Sequence, residues 1–442
     1  MNDLFNVMNK ARYSGVNSGP KTVPTLFQRS AKVFVHELNR IGKPGVRIPE
    51  LHSLPAIALS SIMGEMACYT SVRKTLHQEL SDPVLFMRLF TNASADRYVL
   101  ENCLRKASMV GKPVLPDVAK NWCKMMNEKI LMDYSSPSIN SIVEALNLGK
   151  YLHDAGWSYQ SMQVLEIALH MTSFVENSQH RKILEFECLQ KLLRAEGSAL
   201  LKEKADETCA RLLAMVSDNT DRKILLKVYL EVANHHFKIR QVVDSHRWTR
   251  KAMELMNDST PVESVIEILQ LEALNLFYTE RYDEAYLVVS QAIHRARSTF
   301  GHLHRRYADT LYTYGVCLLQ ANVISDAIPI MLELLDVIIK LYGELTPHVA
   351  IIQSYLAYGF YRRSQTTGRF DMAYDHIQKA IVLTKQIMPE RKQLIENFSE
   401  IQSIILTGRD ESLAALGENR AARLSDFQIF TVAEIKQRCL QF

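Results

Sequence analysis

Seven cysteines and fourteen histidines are the side chains in this 442-residue chain best suited to metal binding or nucleophilic attack. The cysteines are Cys68, Cys103, Cys123, Cys188, Cys209, Cys317 and Cys439. They are odd in number and widely spaced, and no two form a C-x-x-C pair. That pattern argues against a zinc knuckle and against a disulfide framework, so buried thiols in a reducing compartment are expected. His235 and His236 are neighbours, and on a helix they point about 100° apart, too far to share a metal easily. His302 and His304 flank Leu303 in what reads as a linker. Trp122-Cys123 has no base motif beside it. The chain carries no Walker A loop, no dinucleotide G-x-G-x-x-G, no G-x-S-x-G and no H-E-x-x-H. No catalytic constellation emerges, so a non-enzymatic protein without metal or cofactor is expected.

Charge narrows the partners. Lys+Arg is 52 and Asp+Glu is 48, a formal net charge of +4, which disfavours a general polyanion binder. Two basic stretches stand out. One runs from Lys238 to Lys251 and holds Lys238, Arg240, Arg247, Arg250 and Lys251. The other runs from His294 to Arg306 and holds Arg295, Arg297, Arg305 and Arg306. They read either as solvated outer faces or as docking sites for an acidic partner. Nucleic acid is not expected, because no aromatic stacking pattern accompanies the charge. No run approaches the ~18–20 apolar residues of a membrane span. The opening MNDLFNVMNKARYSG carries Asp3 and has no sustained apolar core, so it does not read as a secretory signal. A soluble intracellular protein is expected.

The elements that would position any site are helices. Glycine (16) and proline (13) together make up 29 of 442 residues, well below the average of about 12%. In VESVIEILQLEALNLFYTERYDEAYLVVSQAIHRA two apolar-periodic helices flank a short link. Small residues Ala273, Ala285 and Ala292 fall at separations of 12 and 7. Antiparallel helices joined by a short turn approach closely only where the crossing side chains are small. The trio recurs as Gly149, Ser161, Ala168; as Ala233, Ser245, Ala252; as Gly315, Ala327, Leu334; and as Ala357, Ala373, Ala380, where the turn gains four residues within Ser364 to Arg369. A degenerate unit is assigned through Ala210. The expected fold is all-α: a right-handed α-solenoid of tetratricopeptide-like helix pairs with a period of about 42 residues and a concave inner face.

The expected domains follow. Residues 1–23 are disordered. Residues 24–140 form a helical region with helices over 25–41, 55–70, 71–80, 83–92, 96–107 and 114–131. Residues 141–406 form the solenoid, and 407–442 a tail ending in the short helix TVAEIKQRCLQF. The first helix of each pair should line the concave side. Asn234, Gln270, Tyr312, Tyr358 and Tyr361 are therefore candidates for a peptide groove, or alternatively for packing between repeats.

The segments YLHDAGWSYQSMQVLEIAL, RRYADTLYTYGVCLL and LAYGFYRRSQTTGRFDMAYDHIQKAIVLTKQIMPE resemble the amyloid protein-binding protein 2 family, which is related to kinesin light chains. The resemblance runs from about Pro24 to Ile405. It implies a substrate receptor of a cullin-2 RING ubiquitin ligase, held through elongin B and C. It also implies binding to amyloid precursor protein tails and association with microtubules, with nuclear or cytoskeletal location beside the cytoplasm. Under it, Leu26, Ser30 and Phe34 match an elongin-binding helix face at i, i+4 and i+8. An ordinary helix packed on the first repeat is the other reading of that spacing. Leu54, Pro55 and Ile57, in Ser53-Leu54-Pro55-Ala56-Ile57, match a cullin-selecting segment, although proline is also simply favourable at a helix start. The family continues with further repeats, whereas the pattern here fades after Leu406. A kinesin-light-chain-like transport adaptor is the second expectation, although no sustained heptad region precedes the repeats.

Overall fold

The structure, a computed structural model, describes residues 26–41, 47–91, 94–132, 138–217 and 220–425. The segment 1–23 and the helix expected over TVAEIKQRCLQF lie outside the described residues, as does Cys439. The described residues contain nineteen α-helices and no strand. Helix α1 (Leu26–Ile41) buries Ala31 and Val35 and packs on α2 (Ala56–Met66). It ends immediately before Gly42 and Pro44, where breaker chemistry places its end. A short 3-10 turn, Pro49–Ser53, leads into α2. Arg88 holds that turn by donating to the carbonyls of Leu51 (3.2 Å) and His52 (2.8 Å) and to that of Leu54. Then come α3 (Arg73–Leu80), α4 (Pro83–Phe90), α5 (Ser94–Ser108) and α6 (Leu115–Met132). Asp82 caps α4 by accepting from the amides of Val84 and Leu85, with Pro83 at the first helical position.

Six helix pairs follow: α7 (Ile139–Asp154) with α8 (Ser158–Thr172), α9 (Ser178–Ser198) with α10 (Lys202–Ala214), α11 (Arg222–Lys238) with α12 (Val242–Glu254), α13 (Val262–Tyr278) with α14 (Tyr282–Phe300), α15 (Arg305–Gln320) with α16 (Ile324–Tyr342), and α17 (Pro347–Thr367) with α18 (Asp371–Ile387). Each pair packs internally, and successive pairs stack. The fold is thus all-α, a solenoid of tetratricopeptide-like helix pairs. All five trios of small residues are buried where the helices of a pair cross. At the first crossing the Ser161 hydroxyl donates to the Gly149 carbonyl at 2.7 Å.

The intra-pair turns share one geometry. Gly156, Leu200, Arg240, Glu280 and Asn322 all have φ between 60° and 93°. The amide of the next residue in each case bonds back five residues: Trp157 to Leu152, Leu201 to Glu196, Gln241 to His236, Arg281 to Leu276 and Val323 to Leu318. This is the Schellman ending of a helix, made four times without glycine. In every case the left-handed residue lies seven positions after the first crossing residue.

That register corrects the degenerate unit. Leu200 fixes its first crossing residue as Leu193. The crossing is made by Leu193, Ala205 and Leu212, all buried, whereas Ala210 is exposed. The unit escapes a search for small residues because two of its three contacts are leucines. The long turn expected within Ser364 to Arg369 is instead added helix. α17 runs to Thr367, and Gly368 at φ +69° ends it. Beyond the pairs, α19 (Lys392–Ser425) is one continuous helix through residues 406 and 407.

The stack does not leave an open concave trough. It curls until its later pairs meet its beginning. α16 packs on α5, and Gly343 approaches so closely that an added Cβ would lie 3.2 Å from Ser108 Oγ. Arg305 donates to the Asp154 carbonyl, Arg391 to the Ala199 carbonyl (3.2 Å) and Gln386 to the Gly111 carbonyl (2.8 Å). The Tyr151 ring sits 5.7 Å from that of Tyr342 and 5.0 Å from that of Phe90. The ring this creates has a polar centre.

Candidate functional site

The first helices of the pairs supply that centre. The first crossing residue of each unit is buried against its partner helix; the position just after it and the one three before it are four residues apart, so they share a neighbouring face of the first helix, which turns inward. At the position just after the crossing residue stand Lys150, Arg194, Asn234 and Tyr358. Three before it stand Gln190, Gln270 and Tyr312. The face exists because these helices are apolar toward their partners yet carry polar residues at those positions.

A chain of ion pairs spans it. Arg194 reaches both Glu231, only 1% exposed, and Glu267, at 3.0 Å from the latter. Arg306 pairs with Glu267 from the other side. Burial works against the Glu267 charge, but Arg194 and Arg306 hold its carboxyl down to about 2. Arg305 pairs with Asp309 at 2.7 Å. The Lys238 ammonium donates to the Arg194 carbonyl (3.1 Å) and to Ser198 Oγ (2.8 Å), and burial followed by repulsion from Arg194 pushes its pKa down to about 8. Buried charges are tolerated only when paired and hydrogen-bonded in this way. Lys238, Arg305 and Arg306 thus turn part of both basic stretches inward. Lys251 sits over the Trp248 ring at 4.1 Å.

Beside this network lies a cavity of about 310 Å³, lined by residues of α7, α8, α9, α11, α13 and α15. Lys150, Lys191, Lys227, Leu230 and Pro261 form part of its wall. The lysines and the Arg194 network were not singled out from sequence. Aligning the units on their crossing residues would have found Lys150 and Arg194, which share one register position.

The groove candidates divide. Tyr312 and Tyr358 remain accessible, at 38% and 41%. Tyr312 bonds Tyr355 through the hydroxyls at 3.3 Å. Asn234 is half-buried and Gln270 buried. Tyr361 packs near the Phe370 ring and under Gly408 of α19. At the other end of the chain, Ser30 and Phe34 lie on an exposed face of α1, about 100° round from the buried Ala31 and Val35; Leu26 opens the helix, and its side chain is outside the described ones. Ile57 is 75% exposed on α2, Pro55 is exposed, and Leu54 is partly buried against the core. α1 therefore packs on α2 rather than on the first helix pair.

His235 bonds Asp206 at 2.7 Å and His236 bonds Gln241 at 2.7 Å. Among the described residues no group of three or more His, Cys, Asp or Glu side chains is placed to hold a metal ion. No helix among them is long and apolar enough to cross a membrane.

No family model matches the chain. It is 26% identical over 313 residues to amyloid protein-binding protein 2 of Rattus norvegicus and, at the same identity and length, to that of Mus musculus. The match covers 70% of this chain and 53% of each relative, so the chain spans about half the length of the curated relatives it matches. The relationship to that family is a distant one. Among solved structures, the Rap conjugation gene regulator of plasmid pLS20 in complex with the Phr* peptide is 12% identical, with a TM-score of 0.45 over 82% of this chain and 96% of that one. A signal transduction ATPase with a tetratricopeptide repeat sensor, PH0952 from Pyrococcus horikoshii, is 14% identical, with a TM-score of 0.42 over 93% and 60%.

Proposed function

We propose that this helical-repeat interaction scaffold, distantly related to amyloid protein-binding protein 2, acts as a substrate receptor of a cullin-2 RING ubiquitin ligase, docking elongin B/C through α1. The observation that carries this reading is the solvent-facing pair Ser30 and Phe34 on α1, with Ile57 exposed on the adjoining α2. α1 spends Ala31 and Val35 on holding itself to α2 and keeps its other face for a partner groove, as helix-in-groove recognition requires. Leu26 would extend that face by one turn. In the same reading Leu54, Pro55 and Ile57 meet the cullin, and the inner face of the ring, with Tyr312 and Tyr358, receives a peptide tail or degron of the client. No step in this role is catalytic, and its setting is the cytoplasm or nucleus.

The test is co-expression of the full chain with elongin B and C. Co-purification is expected for wild type and is lost in the Leu26→Ala/Phe34→Ala double variant while helical circular dichroism is retained. A wild-type chain that never carries elongins through purification rules the role out. A second reading is an adaptor for intracellular transport, binding amyloid precursor protein tails and microtubules in the manner of kinesin light chains; the name of the relatives supports its amyloid-protein part alone. Pelleting with taxol-stabilised microtubules separates the two, because the ligase reading requires no sedimentation.

A further inference from the structure

The wall of the inner cavity holds positive charge that its surroundings do not neutralise. The floor is balanced. Arg194 and Arg306 answer Glu231 and Glu267, and Arg305 donates to the Asp154 carbonyl. Lys150 of α7, Lys191 of α9 and Lys227 of α11 come from three successive inner helices and line one space. Among the described residues none of the three forms an ion pair. Lys191 is half-buried. Burial first, then the nearby Lys150, Lys227 and Arg194, depresses its pKa, and Glu187 one turn back opposes them. Among the lining residues the remaining carboxylates are Asp154, beside His153 at 3.8 Å, and Glu263, exposed at the rim. Three like charges converging at a joint between repeats work against the fold, and an arriving anion relieves that repulsion.

The shape indicates what kind of anion. A second cavity of about 230 Å³ adjoins the first and shares Lys227, Pro261 and Ser264 with it. Leu226 and Leu255 line this second part, and Leu230 lines the first. The combined space sets Lys150 and Lys191 in its first part and Leu226 and Leu255, beside Asp221, Arg222 and Lys223, in its second, with Lys227 shared, and two adjoining parts of mixed character suit an extended chain better than a compact ion. We infer that the adjoining cavities walled by Lys150, Lys191 and Lys227 bind an acidic peptide segment, with aspartate or glutamate carboxylates against the lysines and apolar neighbours against Leu226, Leu230 and Leu255. This deepens the reading of the inner face as a polypeptide-binding surface and rests on it.

The experiment uses the full chain and three fluorescein-labelled peptides: a short glutamate- and leucine-containing peptide, its glutamine isostere, and a version with phosphoserine in place of glutamate. Fluorescence anisotropy reads the affinity. The glutamate peptide should bind about tenfold or more tightly than the glutamine isostere, a factor equivalent to about 1.4 kcal/mol. The Lys150→Gln/Lys191→Gln/Lys227→Gln variant should lose about tenfold in affinity. The corresponding triple Lys→Arg variant should keep binding, which separates lost charge from lost folding. Lys379→Gln/Lys385→Gln/Lys392→Gln removes the same charge from exposed positions on α18 and α19 and should change affinity by less than about twofold. Equal losses in the two glutamine triples, no preference over the glutamine isostere, or binding of the phosphoserine peptide alone would each overturn the assignment. Elongin co-purification does not involve these lysines, so it stands or falls separately.

Discussion

Replacing Gly149 with alanine puts one carbon into the first crossing of the solenoid. An added Cβ there would lie 2.7 Å from both Cγ and Cδ2 of Leu165, against the ~3.5–4.0 Å of a comfortable carbon contact. Leu165 is fully buried, and Cγ is close to its backbone, so the side chain cannot swing clear. Overpacking of this kind costs about 1–3 kcal/mol. Alanine also recovers about 1 kcal/mol of helix propensity relative to glycine. The net expectation is a loss of up to about 2 kcal/mol. Leu165→Ala alone should cost about 2–5 kcal/mol through the cavity it leaves. In that background the steric contribution vanishes, and Gly149→Ala should stabilise by about 1 kcal/mol. The substitution therefore changes sign between backgrounds, and the coupling energy is about 1–3 kcal/mol. Hydrogen exchange of the α7 and α8 amides is the suitable assay, because repeat stability is largely local and exchange reports the opening of this pair itself. The same effect of Gly149→Ala in both backgrounds would refute the account of the crossing. Gly315→Ala is a graded companion. There the clash is with the Met331 tail, Cε at 2.7 Å, and the flexible thioether can move, so the loss should be smaller.

Other expectations follow from the charges and turns. Arg194→Met strands the buried Glu231 carboxylate and should destabilise by about 3–5 kcal/mol in urea unfolding, with Glu231→Gln in the same chain restoring part of it. Burial pushes the Glu196 carboxyl up to about 7 from its ordinary 4.5, and its Oε2 has no hydrogen-bond partner. The folded chain thus keeps a proton that the unfolded chain releases. This stabilising contribution is full below pH 4.5 and fades as pH rises through 7, a change of about 3 kcal/mol; Glu196→Gln should flatten the stability profile across that window. Leu200 is exposed and holds φ at 62°. Leu200→Gly should leave the helix signal unchanged and shift thermal unfolding upward by the equivalent of up to about 1 kcal/mol, because glycine takes the left-handed region without strain.

The helix pairs were legible because the crossings impose small residues at fixed separations, and Ala273, Ala285 and Ala292 state that rule in the chain itself. The rule fails where leucines make the crossing, which is why Ala210 misleads and Leu193 and Leu212 stay hidden. The turns were legible as turns but not in their conformation. Leu200, Arg240 and Glu280 adopt positive φ under the constraint of the two flanking helices, and their residue types give little sign of it. The closure of the ring left no local pattern at all. Arg305 to the Asp154 carbonyl and Gln386 to the Gly111 carbonyl join segments far apart in sequence, and only the accumulated curvature of the stack brings them together. For the same reason Lys150, Lys191 and Lys227 read as three unrelated surface lysines until three helices are laid side by side. Tyr312 and Tyr358 could be placed on the inner helices by register. Tyr361, only three residues after Tyr358, faces α19 instead.

A photo-crosslinking amino acid placed at single positions in the full chain, and activated in cells, asks most directly which face holds other polypeptides. Tyr358, exposed on an inner helix, and Leu287, 65% exposed on the outer helix α14, are matched positions for it. Discrete polypeptide adducts from position 358 and only background from position 287 are the expected result. Adducts from position 287 with none from position 358 would contradict the assignment of recognition to the inside of the ring.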